Sequence, residues 1–108
     1  MSTTISEAII TLSDLHMGLE DGYWESSSID KKDLFYDLIS AANKELSELA
    51  KLSIQDHDME YEPISAEFRQ AKAKLTDLRK LMDECVARSS TARKLEELIN
   101  DVVVLFAH

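Results

Sequence analysis

The sequence predicts an all-α protein, a four-helix up-down bundle built on a long central helical hairpin. Three observations carry that prediction. The chain has 108 residues with two glycines and one proline, too few for an all-β fold, which needs turn residues about every 8–12 positions. Apolar residues recur at helical spacing in four successive stretches, and positions i, i+3/i+4 and i+7 share one face only in a helix. Hydrophobic residues make up 44% of the chain, more than a disordered segment carries. This length suits one domain, residues 1–108, burying roughly 60–70% of the unfolded surface.

Helix 1 is expected over residues 4–19. Ile5, Ile9, Leu12, His16 and Leu19 form its stripe, with Ala8 and Leu15 beside it. Thr4 followed by Glu7 fits a capping box. Gly18 and Gly22 are expected to break the helix, leaving a polar connection over residues 20–28 that holds Tyr23 and the single tryptophan, Trp24.

Helix 2 is expected over residues 29–54. Leu34, Phe35, Leu38, Ile39, Ala41, Ala42, Leu46, Leu49 and Leu52 make a broad stripe, which implies contact with two or more neighbours. The acidic loop 55–62 follows. Helix 3, expected over residues 63–86, has the strictest pattern. Ile64, Phe68, Ala71, Leu75, Leu78, Met82 and Cys85 repeat 4-3-4-3-4-3, the narrow seam of a coiled coil. Pro63 suits the first turn, where a missing N–H removes no bond. The pairs Arg79/Asp83 and Lys80/Glu84 can each add about 0.2–0.5 kcal/mol. A break at residues 88–91 then offers Ser90 or Thr91 as the cap of helix 4, whose buried face is Leu95, Leu98, Ile99, Val102, Leu105 and Phe106. The run Val102-Val103-Val104 also fits a short strand, but no second strand is there to pair with it, so helix is expected.

Helices 2 and 3 should each span roughly 36 Å and helices 1 and 4 roughly 24 Å, at about 1.5 Å per residue. Both short helices are expected to cover the hairpin end near Arg88. Leu49, Leu52, Ile54, Ile64 and Phe68 would then form a bare patch at the other end, which a soluble monomer rarely exposes.

Charge narrows the partner. The net charge is −9, and residues 1–30 hold six acids with no Lys or Arg. The loop adds Asp56, Asp58, Glu60 and Glu62, so the rest of the chain sums to +1. Nucleic acid and anionic membranes demand clustered cations, so a protein with a basic surface is the expected partner. The longest apolar run, residues 102–107, is far below the ~20 residues that span a bilayer. The N-terminus has no basic signal region, and one cysteine makes no internal disulfide. A cytoplasmic protein is expected.

Ser13-Asp14-Leu15-His16-Met17-Gly18 is the sharpest string. It resembles the first metal motif of the calcineurin-like metallophosphoesterases, an Asp-x-His after a hydrophobic strand, with Ile9-Ile10-Thr11-Leu12 as the lead-in. The resemblance implies that Asp14 and His16 bind one ion of a two-metal site that activates water. It covers about ten residues, and the Gly-Asp pair and Gly-Asn-His box of that family are absent. An amphipathic helix is the reading taken forward.

The loop Asp56-His57-Asp58-Met59-Glu60-Tyr61-Glu62 alternates oxygen ligands, but a calcium loop of the EF-hand type needs a glycine at its turn, and none follows Gly22. A solvated acidic loop is expected. Tyr23 and Trp24 either close the end of the bundle, which is preferred here, or present a binding hot spot. Cys85 continues the seam and is expected to be a buried, inert thiol. No phosphate-binding glycine loop, zinc cluster or serine elbow is present.

The sequence therefore points to a non-enzymatic protein-binding module (adaptor, assembly factor or inhibitor of a basic target), with no metal or cofactor, forming a homodimer through the distal half of the hairpin. Its candidate partner-binding residues are Tyr23, Trp24, Leu49, Leu52, Ile54, Asp56, Asp58, Glu60, Glu62, Ile64 and Phe68. The alternatives are a nucleic-acid mimic that inhibits a DNA- or RNA-binding protein, as small viral inhibitors do, and a metallophosphoesterase fragment.

Overall fold

The computed structural model describes residues 3–26, 28–82, 86 and 89–106. Among them four α-helices pack together: α1 (Ile5–Glu25), α2 (Ile29–Ala50), α3 (Ala66–Lys80) and α4 (Ser89–Val103). Short 3-10 turns occupy Ile54–Asp58 and Val104–Phe106. No strand occurs among the described residues, where one isolated bridge joins Thr4 to Glu60.

The capping box forms as expected. Thr4 Oγ1 accepts the Glu7 N–H at 3.2 Å, and Glu7 Oε1 accepts the Thr4 N–H at 3.2 Å. The glycine break does not form: α1 continues through Gly18 and Gly22 to Glu25. The reason is close packing. A Cβ on Gly22 would lie 2.5 Å from Phe35 Cε1 and 2.9 Å from Leu95 Cδ1, and one on Gly18 would lie 2.7 Å from Leu98 Cδ1. Each glycine costs the helix about 1 kcal/mol, and the approach of α2 and α4 that it permits offsets that cost. The stripe shifts accordingly: Ile5, Ala8, Leu12, Leu15, Leu19 and Gly22 are buried, while Ile9 and His16 lie at its edge.

α2 starts at Ile29, with the Ser28 hydroxyl accepting the Lys31 N–H at 3.2 Å. It ends at Ala50, short of residue 54, because Ser53 caps the 3-10 turn instead. Its broad stripe faces both α1 and α3. Pro63 lies before α3 rather than in it, since Ser65 is the cap and takes the Phe68 N–H at 3.1 Å. Phe68, Ala71, Leu75 and Leu78 of the seam are buried on α3 as predicted, but α3 ends at Lys80, short of residue 86, and Met82 is buried just beyond its Leu81 cap. Asp83, Glu84 and Cys85 lie outside the described residues, and with them the two ion pairs and the buried thiol. Ser90 and Thr91 sit inside the first turn of α4 rather than capping it, and Val102 and Val103 are helical.

The lengths reverse the expected mismatch. α1 and α2 have 21 and 22 residues, α3 and α4 have 15 each. The long pair is α1 and α2, so α1 reaches the acidic loop. There the Ile5 N–H donates to the Met59 carbonyl at 2.9 Å and the Tyr61 N–H to the Thr3 carbonyl at 2.7 Å. The far end of α4 arrives at the same place, where Phe106 stacks on Phe68 at 4.7 Å. Leu49 and Phe68 are therefore fully buried and Leu52 partly so. This corrects the expected bare patch, of which only Ile54 and Ile64 stay exposed. No helix among the described residues is long and apolar enough to cross a membrane.

Candidate functional site

α1 carries two apolar faces. The inner one is the core seam. Opposite it stand Ile10, Met17 and Trp24, seven residues apart and 62%, 66% and 77% exposed. Seven residues bring a helix back to within about 20° of the same direction, so the three side chains form a line with steps of about 10.5 Å. Glu7, Asp14 and Asp21, also seven apart and exposed, make a parallel line on one flank. Ser6 and Ser13 stand on the other flank, followed by Glu20. α1 contains no Lys or Arg.

The line ends in an aromatic group. Tyr23 and Trp24 meet edge to face, with ring centroids 5.3 Å apart. Lys32 Nζ sits 4.5 Å from the Tyr23 ring centre and 5.8 Å from that of Trp24, and donates to the Tyr23 carbonyl at 2.7 Å. It supplies from α2 the positive charge that the last turn of α1 lacks, satisfying a terminal carbonyl and complementing the helix dipole. Trp24 thus closes nothing, contrary to the preferred expectation; the ring that fills the core beside this turn is Phe35, over Gly22. Ile29 and Tyr36, three before and four after Lys32, are exposed as well and extend the apolar surface onto α2.

The acidic loop is built differently. Glu45 of α2 is completely buried. Its carboxylate accepts the Tyr61 hydroxyl at 2.5 Å, the Ile64 N–H at 2.9 Å and the Ser65 N–H at 2.8 Å. A buried carboxylate needs such partners, and here it also satisfies the open N–H groups at the start of α3. Burial first, then the hydrogen bond and charge of Glu45, push the Tyr61 hydroxyl pKa far above its ordinary value. Tyr61 is itself fully buried, so this acid–hydroxyl pair lies away from solvent and ties α2 to the segment that leads into α3. Around it Asp58, Glu60 and Glu62 are exposed and Asp56 is half-buried. No group of three or more potential metal ligands occurs among the described residues.

The Asp14-x-His16 string lies on a helix rather than after a strand. Residues two apart on a helix point about 200° apart, and His16 Nδ1 lies 2.9 Å from Glu20 Oε1 instead. The two side chains do not converge on one ion, and the string forms the amphipathic helix expected of it.

Of the eleven candidate residues, the structure brings Tyr23 and Trp24 together and seals Leu49 and Phe68 in the core. The four acids and Ile54 stay on the loop and its 3-10 turn. Ile10, Met17, Lys32 and Glu45 were missed. The seven-residue spacing of Ile10, Met17 and Trp24 is a readable signal, but a helix expected to end at residue 19 leaves Trp24 outside it. Comparison with known protein families, with curated proteins and with solved structures found no match.

Proposed function

We propose that this protein is a protein-binding module, an adaptor, assembly factor or inhibitor without catalytic activity of its own, that engages its partner at the Trp24 end of α1 and α2. The observation that carries this is an exposed Trp24 beside Tyr23 and Lys32 in a defined arrangement. A large, rigid aromatic side chain adds apolar contact area while losing little side-chain freedom on binding, as interface hot spots do. The net charge of −9 favours a partner with a basic surface. The up-down order of the bundle is supported by Gly22 against Phe35, Glu45 against Ser65, Phe68 against Phe106 and Glu25 against Thr91. Each joins the late part of one helix, or the 3-10 turn after α4, to the early part or N-cap of another, or the reverse.

Self-association is the second reading. It has lost Leu49 and Phe68 and rests on Ile54, Met59 and Ile64, still exposed at the loop end. Two copies meeting there would bring Asp58, Glu60 and Glu62 together, which opposes it. Nucleic-acid mimicry gains less: the Glu7–Asp14–Asp21 line has steps of about 10.5 Å, against about 3.4 Å per phosphate along a strand.

A photoreactive residue at position 24, compared with one at the exposed Ser47 in the producing cell, tests the proposal. A discrete adduct from position 24 alone is expected. No adduct, or the same adduct from position 47, overturns it. An adduct of twice the chain mass from position 54 would replace it with the dimer.

A further inference from the structure

We infer that the outward face of α1 takes a basic amphipathic helix, laid along Ile10, Met17 and Trp24 with its lysines or arginines against Glu7, Asp14 and Asp21. This rests on the protein-binding reading above and names the partner's chemistry.

A helix of a soluble bundle normally has one apolar stripe, turned inward, and a polar opposite face. α1 departs from that by carrying a second apolar line directly opposite the first. The line runs along the helix, drifting by only about 20° per step, so the surface it matches is another helix with apolar residues every three or four positions. Ser6 and Ser13 leave room on one flank for a second helix to approach. On the other flank the acids repeat with the same seven-residue period as the apolar line. No ion pair to Asp14 or Asp21 occurs among the described residues. A partner helix with cations along one edge of its apolar stripe would meet both features in register.

The same charges exclude the other occupants. Two copies of α1, in either direction, would face five acids with five acids and no Lys or Arg between them. An anionic membrane or a nucleic acid would meet only like charge. The occupant consistent with both lines is therefore a basic helix.

The test uses the intact chain and its single tryptophan as the reporter. The probe is a synthetic helical peptide of about six turns, with leucines at helical spacing and lysines along one edge. Its controls are a scrambled peptide of the same composition and a version with glutamates for lysines. The lysine peptide should blue-shift Trp24 emission and protect it from a quencher; the controls should do neither. Met17→Glu should weaken binding by about tenfold or more, and raising salt from about 50 to about 500 mM should weaken it several-fold. Asp14→Lys with Asp21→Lys should exchange the preference, so that the glutamate peptide binds; circular dichroism checks that this variant is folded. Glu97→Lys on exposed α4 should leave the preference alone.

Equal binding of the scrambled peptide, or no exchange of preference in the folded double variant, overturns the inference. So does a dimer by sedimentation that Met17→Glu abolishes, because the face would then belong to a second copy. A discrete crosslink at position 24 without lysine-peptide binding would sink the basic helix and keep the protein-binding reading. Failure of both removes both.

Discussion

At the loop end of the molecule Phe68 stacks on Phe106 and Tyr61 is sealed against Glu45, whereas at the α1–α2 turn Trp24 and Tyr36 stand in solvent. Both ends carry large aromatic rings beside a chain reversal. At the first, directional bonds draw the backbone inward: Thr3 and Ile5 pair with Tyr61 and Met59, and Glu45 holds Ile64 and Ser65. Once those polar groups are satisfied, the rings between them can be buried without orphaned donors. At the second, the turn is short, and Gly22 lets Phe35 fill the space beside it. Trp24, two residues further along the helix, is carried outward on the opposite face of α1. One end buries its aromatics, and the other buries Phe35 but leaves Trp24 and Tyr36 in solvent.

The strongest test of that contrast is Phe68→Ala. Removing a fully buried, stacked ring should cost about 3–5 kcal/mol in chemical denaturation. A loss below about 1 kcal/mol would mean that the loop end is open after all.

Glu45→Ala should cost about 3 kcal/mol, because one hydroxyl and two backbone N–H groups lose their acceptor and each buried unsatisfied group costs roughly 1–3 kcal/mol. Hydrogen exchange at Ile64 and Ser65 should accelerate in the same variant. Unchanged protection there would show that Glu45 does not hold the start of α3.

The two glycines should part company. Gly22→Ala should destabilise by about 1–2 kcal/mol, since its methyl would meet the buried Phe35 ring, and overpacking outweighs the helix propensity gained. Gly18→Ala meets the end of Leu98, which is only partly buried and can rotate away, and comes to 3.1 Å from Cδ2 of the buried Leu95, which must give by a few tenths of an ångström. The helix propensity gained offsets most of that strain, so the cost should stay within about 0.5 kcal/mol. Equal thermal shifts for both variants would refute the close-packing account of Gly22.

Tyr61 adds a dependence on pH. Its folded-state pKa is raised above the ordinary value near 10. Above that pH the unfolded chain releases the proton while the folded chain keeps it. The unfolded state then binds fewer protons, and stability falls as pH rises. The contribution is intact below about pH 10 and is lost progressively above it. Tyr61→Phe should cost about 1–2 kcal/mol at neutral pH and make the alkaline decline shallower in melts from neutral pH to about pH 11. An unaltered decline would assign it to other groups.

The smallest effect belongs to Trp24→Ala, expected within about 0.5 kcal/mol of the parent. In the free protein Trp24 emission should be red and open to quenching. A blue, protected signal would bring the two ends back together.

Several features of this protein are legible residue by residue. The 4-3 spacing of Phe68, Ala71, Leu75 and Leu78 belongs to one helix face in any fold. Thr4 and Glu7 cap each other within a single turn, and the excess of acids is a count. These signals are local, and local rules are enough to read them. Where α1 ends was decided elsewhere. A glycine penalty of about 1 kcal/mol is small beside the packing of Phe35 and Leu95 against Gly22, and those side chains come from other helices. That one outcome moved α1 to the loop end, buried Leu49 and Phe68, and placed Ile10, Met17 and Trp24 in one line. Glu45 was invisible for a related reason. Nothing on α2 marks it as different from Glu48, because its donors lie 16, 19 and 20 residues further along the chain. Propensity and period are properties of neighbouring residues; burial and satisfied charge depend on groups that only the folded chain brings together.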